Sequence, residues 1–219
     1  MTVHPFVVAI DGPAASGKGT LARRLANRFC FAHLDTGALY RATAFLVLDQ
    51  AGDPTDPMTA EATARRVYPQ LLLDPRIRGE AVSAAASIVA AIPAVRRALL
   101  DWQRNFAAQP PPPAKGTVLD GRDIGSVVCP DADVKLFITA SAAERARRRV
   151  EELRQGGSAA IFEDVLHDLK ERDARDAGRR VDPLITSADS VVIDTTALDA
   201  DTVFEYASEL IARALEAPR

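Results

Sequence analysis

At 219 residues, with 47% hydrophobic side chains, the chain suits one α/β domain carrying an insertion and can bury a sizeable core. A net charge of −3 and a pI near 5.7 argue against a nucleic-acid or membrane binder, and no apolar run approaches the ~18 residues of a membrane span. Cys30 and Cys129 lack metal-ligand spacing and a first strand entered at Phe6 leaves no room for a leader, so a reduced, cytoplasmic protein is expected; a monomer is expected as well.

Phe6-Val7-Val8-Ala9-Ile10 reads as a buried strand. After it, Gly12, Pro13, Ala14, Ala15, Ser16, Gly17, Lys18, Gly19 and Thr20 make a glycine-bearing turn that opens a helix at about Lys18. Backbone N–H groups converge in such a turn, and the helix N-terminus adds about half a positive charge. The turn is therefore a cradle for the phosphates of a nucleoside triphosphate, with Lys18 reaching the β- and γ-oxygens. Gly19 follows the lysine and the hydroxyl comes at Thr20, an ending similar to that of nucleoside monophosphate kinases.

A second strand at 31–34 delivers Asp35-Thr36-Gly37-Ala38-Leu39-Tyr40-Arg41, with a helix expected right after Gly37. Arg41 then sits about one turn into that helix, where a solvated arginine and a phosphate clamp are both open readings. Residues 36–113 exceed what one crossover needs and are expected to form an inserted, acceptor-binding subdomain. Within them Ala81–Ala91 and Ala94–Ala107 read as helices separated by Pro93, and Pro110-Pro111-Pro112-Pro113 as a stiff return into the core.

The third strand, 117–119, runs into Asp120-Gly121-Arg122-Asp123-Ile124-Gly125. A hydrophobic strand ending in aspartate is a common way to hold magnesium, directly or through water, so Asp120 joins Thr20 as a metal-side candidate with no dedicated protein metal site. After a fourth strand at 134–138, Arg145, Arg148 and Arg149 share a helical face and Arg154 precedes Gly156-Gly157-Ser158, which predicts a short lid at about 150–162 over a polyphosphate. Arg172, Arg175, Asp176 and Arg179 recur at helical spacing, and a fifth strand falls at 190–193. The alternation predicts a doubly wound five-stranded parallel sheet of the P-loop NTPase type, with a core of 1–35 and 114–219. His4, His33 and His167 lack spaced partners and read as non-catalytic, and Trp102 as a packing residue.

In this order, Gly12–Thr20, Asp35–Arg41, Asp120–Gly125 and Arg172-x-x-x-Asp176-x-x-Arg179 resemble the bacterial cytidylate kinases, and the resemblance spans the whole chain. It implies transfer of the γ-phosphoryl of ATP onto CMP or dCMP with Mg2+, and a catalytic set of Lys18, Arg122 and Arg172. It further implies that Arg41, Arg122 and Arg172 hold the acceptor phosphate, in a CMP site that includes Asp35. Ser87, Arg172 and Asp176 would meet the ribose, and Thr36, Arg96, Asp123 and Arg179 the cytosine. One departure concerns 71–78, too short for the small antiparallel sheet common in that family. The residue inventory suits this chemistry, because an acceptor phosphate is already an anionic nucleophile and needs charge stabilisation rather than a general base. The competing readings are a kinase for UMP, AMP or shikimate, and a non-catalytic nucleotide-binding module. A guanine-reading Asn-Lys-x-Asp run does not occur.

Overall fold

The computed structural model describes residues 4–217. Strands β1 (Phe6–Asp11), β2 (Ala32–Asp35), β3 (Gly116–Gly121), β4 (Val134–Thr139) and β5 (Val191–Asp194) form one parallel sheet in the order β2-β3-β1-β4-β5. The five apolar segments of the sequence are these five strands. The central ones read as unbroken apolar runs because both faces of the sheet are covered. On one face, Leu21 and Leu25 of α1 (Lys18–Phe29) and Val203 and Ile211 of α8 (Ala200–Glu216) pack with Val8, Ile10, Leu136 and Ile138. On the other, Leu100, Phe106 and Ala107 of α5 (Pro93–Ala108) pack with Ala9, Leu34 and Leu119. Burying each such large side chain contributes about 1.5–3 kcal/mol.

Between β2 and β3 run α2 (Thr36–Asp49), α3 (Pro57–Ala64), two 3₁₀ turns (Pro69–Leu73 and Pro75–Arg78), α4 (Glu80–Val89) and α5. The two turns each begin at a proline, so Leu71–Arg78 adds no strand. Leu39, Val82, Ala86, Val89, Val95 and Leu99 give this segment a core of its own. Trp102 packs against that core and against the sheet core, so α5 belongs to both.

Pro93, expected to separate two helices, is the first residue of α5, and α4 already stops at Val89; two further helix ends, at the ligand edge, also differ from expectation. The helix expected after Gly37 starts one residue before it, at Thr36, because the Asp35 carboxylate caps it by accepting the Ala38 N–H at 3.2 Å. After β4 come α6 (Ala142–Gln155) and α7 (Phe162–Ala177), and α7 stops at Gly178. Arg179 therefore lies beyond the helix rather than on one face of it with Arg172. The register aligns Asp35 with Asp120, and Asp11 with Gly121 and Phe137, so the strands' carboxyl ends open along one edge.

Candidate active site

The turn after β1 is built for close backbone approach. Gly12 has φ +149, and a Cβ there would overlap the Ile138 carbonyl of β4. Gly17 has φ +89 and forms the N-cap of α1, so the amides of the first helical turn open onto the turn. Lys18, 9% exposed, lays its ammonium back across the turn and donates to the Pro13 carbonyl at 3.0 Å. Burial, with the Arg122 charge second, brings Lys18 down to about 7, against the attraction of Asp120.

Facing this turn is a cavity of about 330 Å³ that brings together residues 14–20 with Asp35, Thr36, Arg41, Ser87, Arg96, Asp120, Arg122, Asp123, Arg172, Asp176 and Arg179. Gly12 and Pro13 do not line it. Arg41 donates to Asp35 at 2.7 Å, Arg122 Nε to Asp176 at 2.8 Å, and Arg179 to the other Asp176 oxygen. Among the described residues, the Nε groups of Arg41, Arg172 and Arg179 are buried without a hydrogen-bond partner. Burial, and then the like charge of Arg122, lowers Arg172 to about 10. Three of the four guanidiniums pair with two carboxylates, Asp35 and Asp176, and Arg172 lies beside them as a fourth cation.

The far end of the cavity is more enclosed. Arg96, 5% exposed, donates Nη2 to Asp123, and its guanidinium lies 5.7 Å from the centre of the Tyr40 ring. Burial raises the Asp123 carboxyl, and the Arg96 charge opposes it. Thr36 donates its hydroxyl to the Asp120 carbonyl at 2.8 Å. Ser87 accepts from Arg175 Nε at 3.2 Å, which leaves the serine O–H free to donate. Arg175 is thus turned to α4 and does not line the cavity with Arg172.

The family model for cytidylate kinase matches residues 8–213. The cytidylate kinase of Rhodospirillum rubrum is 54% identical over 94% of this chain and 97% of its own length. That of a Methylobacterium species is 59% identical over 84% of this chain and 86% of its own. The chain belongs to the cytidylate kinase family. Its chemistry is accordingly ATP-dependent phosphoryl transfer to a cytidine monophosphate. At the level of fold alone, a crystal structure of an uncharacterized protein from Eubacterium ventriosum superposes with TM-score 0.53 at 16% identity, covering 95% of this chain and 99% of that one.

The three arginines expected together on a lid take three separate positions. Arg145 turns inward, 4% exposed, and donates to the carbonyls of Ala14 (3.1 Å) and Ala140 (3.0 Å) and to Asp173 (2.6 Å). Arg148 donates to the Thr195 carbonyl at 2.6 Å and hydroxyl at 2.9 Å. Arg149 pairs with exposed Glu152. Of the expected lid, residues 150–155 are the end of α6, 156–161 are the loop into α7, and Phe162 is the first residue of α7.

Several members of the site lie outside the expected set. Asp11 accepts the Ile124 and Gly125 N–H groups, both at 2.8 Å, and so fixes the loop that carries Arg122 and Asp123. Burial raises its carboxyl to about 6, with those two bonds opposing. His33, read as partnerless, bonds Asp120 Oδ1 at 2.7 Å. Arg78 and Tyr40 also line the cavity. A second cavity of about 350 Å³ adjoins the turn, lined by Leu21, Ile138, Arg148, Thr195, Leu198 and Val203. The position of Thr195 just after β5, at the sheet's ligand edge, was the available signal for it.

Phosphoryl transfer from a nucleotide requires a divalent metal, and the residues fit one. Asp120 Oδ2 lies beside Gly19, 3.6 Å from where a Cβ would stand, and Thr20, whose hydroxyl accepts from Arg23 Nη2 at 3.4 Å, also lines the cavity. No group of three or more His, Cys, Asp or Glu able to hold a metal occurs among the described residues. One carboxylate and one hydroxyl suit an ion whose remaining ligands are phosphate oxygens and water.

Proposed function

We propose that this chain transfers the γ-phosphoryl of ATP to CMP or dCMP in the 330 Å³ cavity, giving ADP and the cytidine diphosphate. The observation that carries the reading is that the phosphate cradle at Lys18 and the arginines Arg41, Arg122, Arg172 and Arg179 line one cavity. In this reading the cradle amides and Lys18 hold the triphosphate, and its base lies in the apolar second cavity beside Arg148. Arg41, Arg122 and Arg172 hold the acceptor phosphate in line with the γ-phosphorus. Ser87 and Asp176 meet the sugar, and Thr36, Arg96, Asp123 and Arg179 the cytosine. Thr20 and Asp120 would hold a Mg2+ carried in with ATP, which would supply charge neutralisation for the phosphates.

Two polyanions must approach, and the transition state spreads charge over the transferring oxygens. Guanidiniums already desolvated and fixed before substrate arrives stabilise that charge without reorganising. Cytosine offers an amino donor beside a ring-nitrogen acceptor, which matches Asp123 beside Arg96; uracil would set carbonyl against carboxylate. Leaving such buried groups unpaired costs about 1–3 kcal/mol each, enough for 10²-fold discrimination. We read the enzyme as cytoplasmic and monomeric, with no nucleic-acid or membrane partner. The free cysteines Cys30 and Cys129 support a reducing compartment, and no single helix among the described residues is long and apolar enough to cross a membrane. Coupled ADP release with CMP, dCMP, UMP, AMP, GMP and shikimate tests the reading. Turnover should be largest with CMP and dCMP, and a preference for any other acceptor overturns it.

A further inference from the structure

Arg96 reaches the cavity with three of its N–H bonds committed. Nη1 donates to the Ala90 carbonyl at 3.3 Å, Nη2 to Asp123, and Nε to Asp182 at 2.8 Å. Nε–H and the neighbouring Nη–H of a guanidinium form a parallel fork that one carboxylate ordinarily takes with both oxygens. Here the fork is divided between two carboxylates. Asp182 belongs to the irregular segment after α7 and does not line the cavity. Its φ of +49 stands directly before Pro183. A left-handed non-glycine backbone ahead of proline is disfavoured and persists only where its surroundings fix it. The surroundings here are the ion pair to Arg96 and the Leu184 N–H donated to the Asp176 carbonyl at 2.9 Å.

We infer that Asp182 is a positioning residue for base selection: by taking the Nε–H of Arg96 it limits Asp123 to one bond and keeps the second Asp123 oxygen open as an acceptor for the exocyclic amino group of cytosine. Without Asp182 the Arg96 fork closes on both Asp123 oxygens and cancels that acceptor. The inference rests on the reading of Asp123 as the group that faces the base.

Steady-state kinetics with CMP and UMP on Asp182→Gly, Asp182→Asn, Asp123→Ala and the double variant Asp182→Gly/Asp123→Ala test it. Glycine accepts φ +49 without strain, so the fold is not the quantity under test. Asp182→Gly should raise the CMP KM about tenfold while kcat and the ATP KM stay within about twofold, narrowing the CMP-to-UMP ratio. Asp182→Asn keeps a carbonyl oxygen for the Nε–H and should remain within about threefold of wild type. Adding Asp182→Gly to Asp123→Ala should change nothing further, because Asp182 acts through Asp123. An unchanged CMP KM in Asp182→Gly, a parallel rise in both KM values, or additive losses in the double variant would each overturn the positioning role. If Asp123→Ala itself leaves the ratio intact, the base-reading assignment falls and this role falls with it. A ratio narrowed by Asp123→Ala but not by Asp182→Gly removes the positioning role alone.

Discussion

Lys18 shows at the scale of one residue how burial prepares a group for its ligand. Its ammonium is brought down to about 7 by burial and by the Arg122 charge, from the ordinary lysine value of 10.5. Between those values the unfolded chain binds more protons than the folded one, so the Lys18 contribution to stability rises with pH across that window. A polyphosphate in the cradle works in the opposite direction, because it favours the charged form. ATP binding near pH 8 should therefore take up protons, read by calorimetry as an apparent enthalpy that changes with the ionisation enthalpy of the buffer. Lys18→Met should abolish the uptake and lower kcat about 10²–10³-fold, the usual loss when one preorganised donor to transition-state charge is removed. Proton uptake equal in the variant and the wild type would remove Lys18 from the phosphate site.

Among the elements, α6 separates what helical spacing can convey from what it cannot. Spacing puts Arg145, Arg148 and Arg149 near one face, yet Arg145 is drawn inward by acceptors from the turn after β1 and from α7. Arg145→Ala should leave the Ala14 carbonyl and Asp173 short of a donor, at a cost of about 1–3 kcal/mol. In a chain of this size that lowers Tm by about 2–4 °C per kcal/mol. Arg149→Ala breaks only a pair with exposed Glu152 and should leave Tm within about 1 °C. Equal losses in the two variants would contradict the inward clamp. The strands and the phosphate turn were legible in sequence because apolar runs, glycines and a lysine are local signals. Two helix ends were legible and misplaced: Asp35 is an N-cap residue, and Gly178 a stop before Arg179. The pairings of Asp11 with Ile124 and Gly125, His33 with Asp120, and Arg96 with Asp182 join distant parts of the chain, and no periodicity encodes them.

Over the whole molecule the charge is placed against the average. The chain carries −3, yet the cavity is lined by eight basic side chains (Lys18, Arg23, Arg41, Arg78, Arg96, Arg122, Arg172, Arg179) and five acidic ones (Asp35, Asp120, Asp123, Glu152, Asp176). Concentrating like charge in a desolvated space costs folding stability, and an anionic substrate recovers it on binding. Arg172 is where that cost is most visible, since its Nε is buried without a partner and its charge is opposed by burial and by Arg122, Arg41 and Arg179. Arg172→Met keeps most of the volume and removes a desolvated charge that burial and three neighbouring cations oppose, while Asp176 keeps Arg122 and Arg179 as partners. The nucleotide-free variant should thus melt at or above the wild-type temperature. CMP at about a hundred times its Kd adds roughly 2.7 kcal/mol to the wild type, a Tm rise of about 5–10 °C. At the same CMP concentration the variant should gain less than half of that, with kcat/KM for CMP reduced at least about a hundredfold. Thermal melts of both proteins with and without CMP give the four values needed. A nucleotide-free variant that melts several degrees below wild type would place Arg172 among the groups that hold the fold together, and the charge of the cavity would then need another explanation.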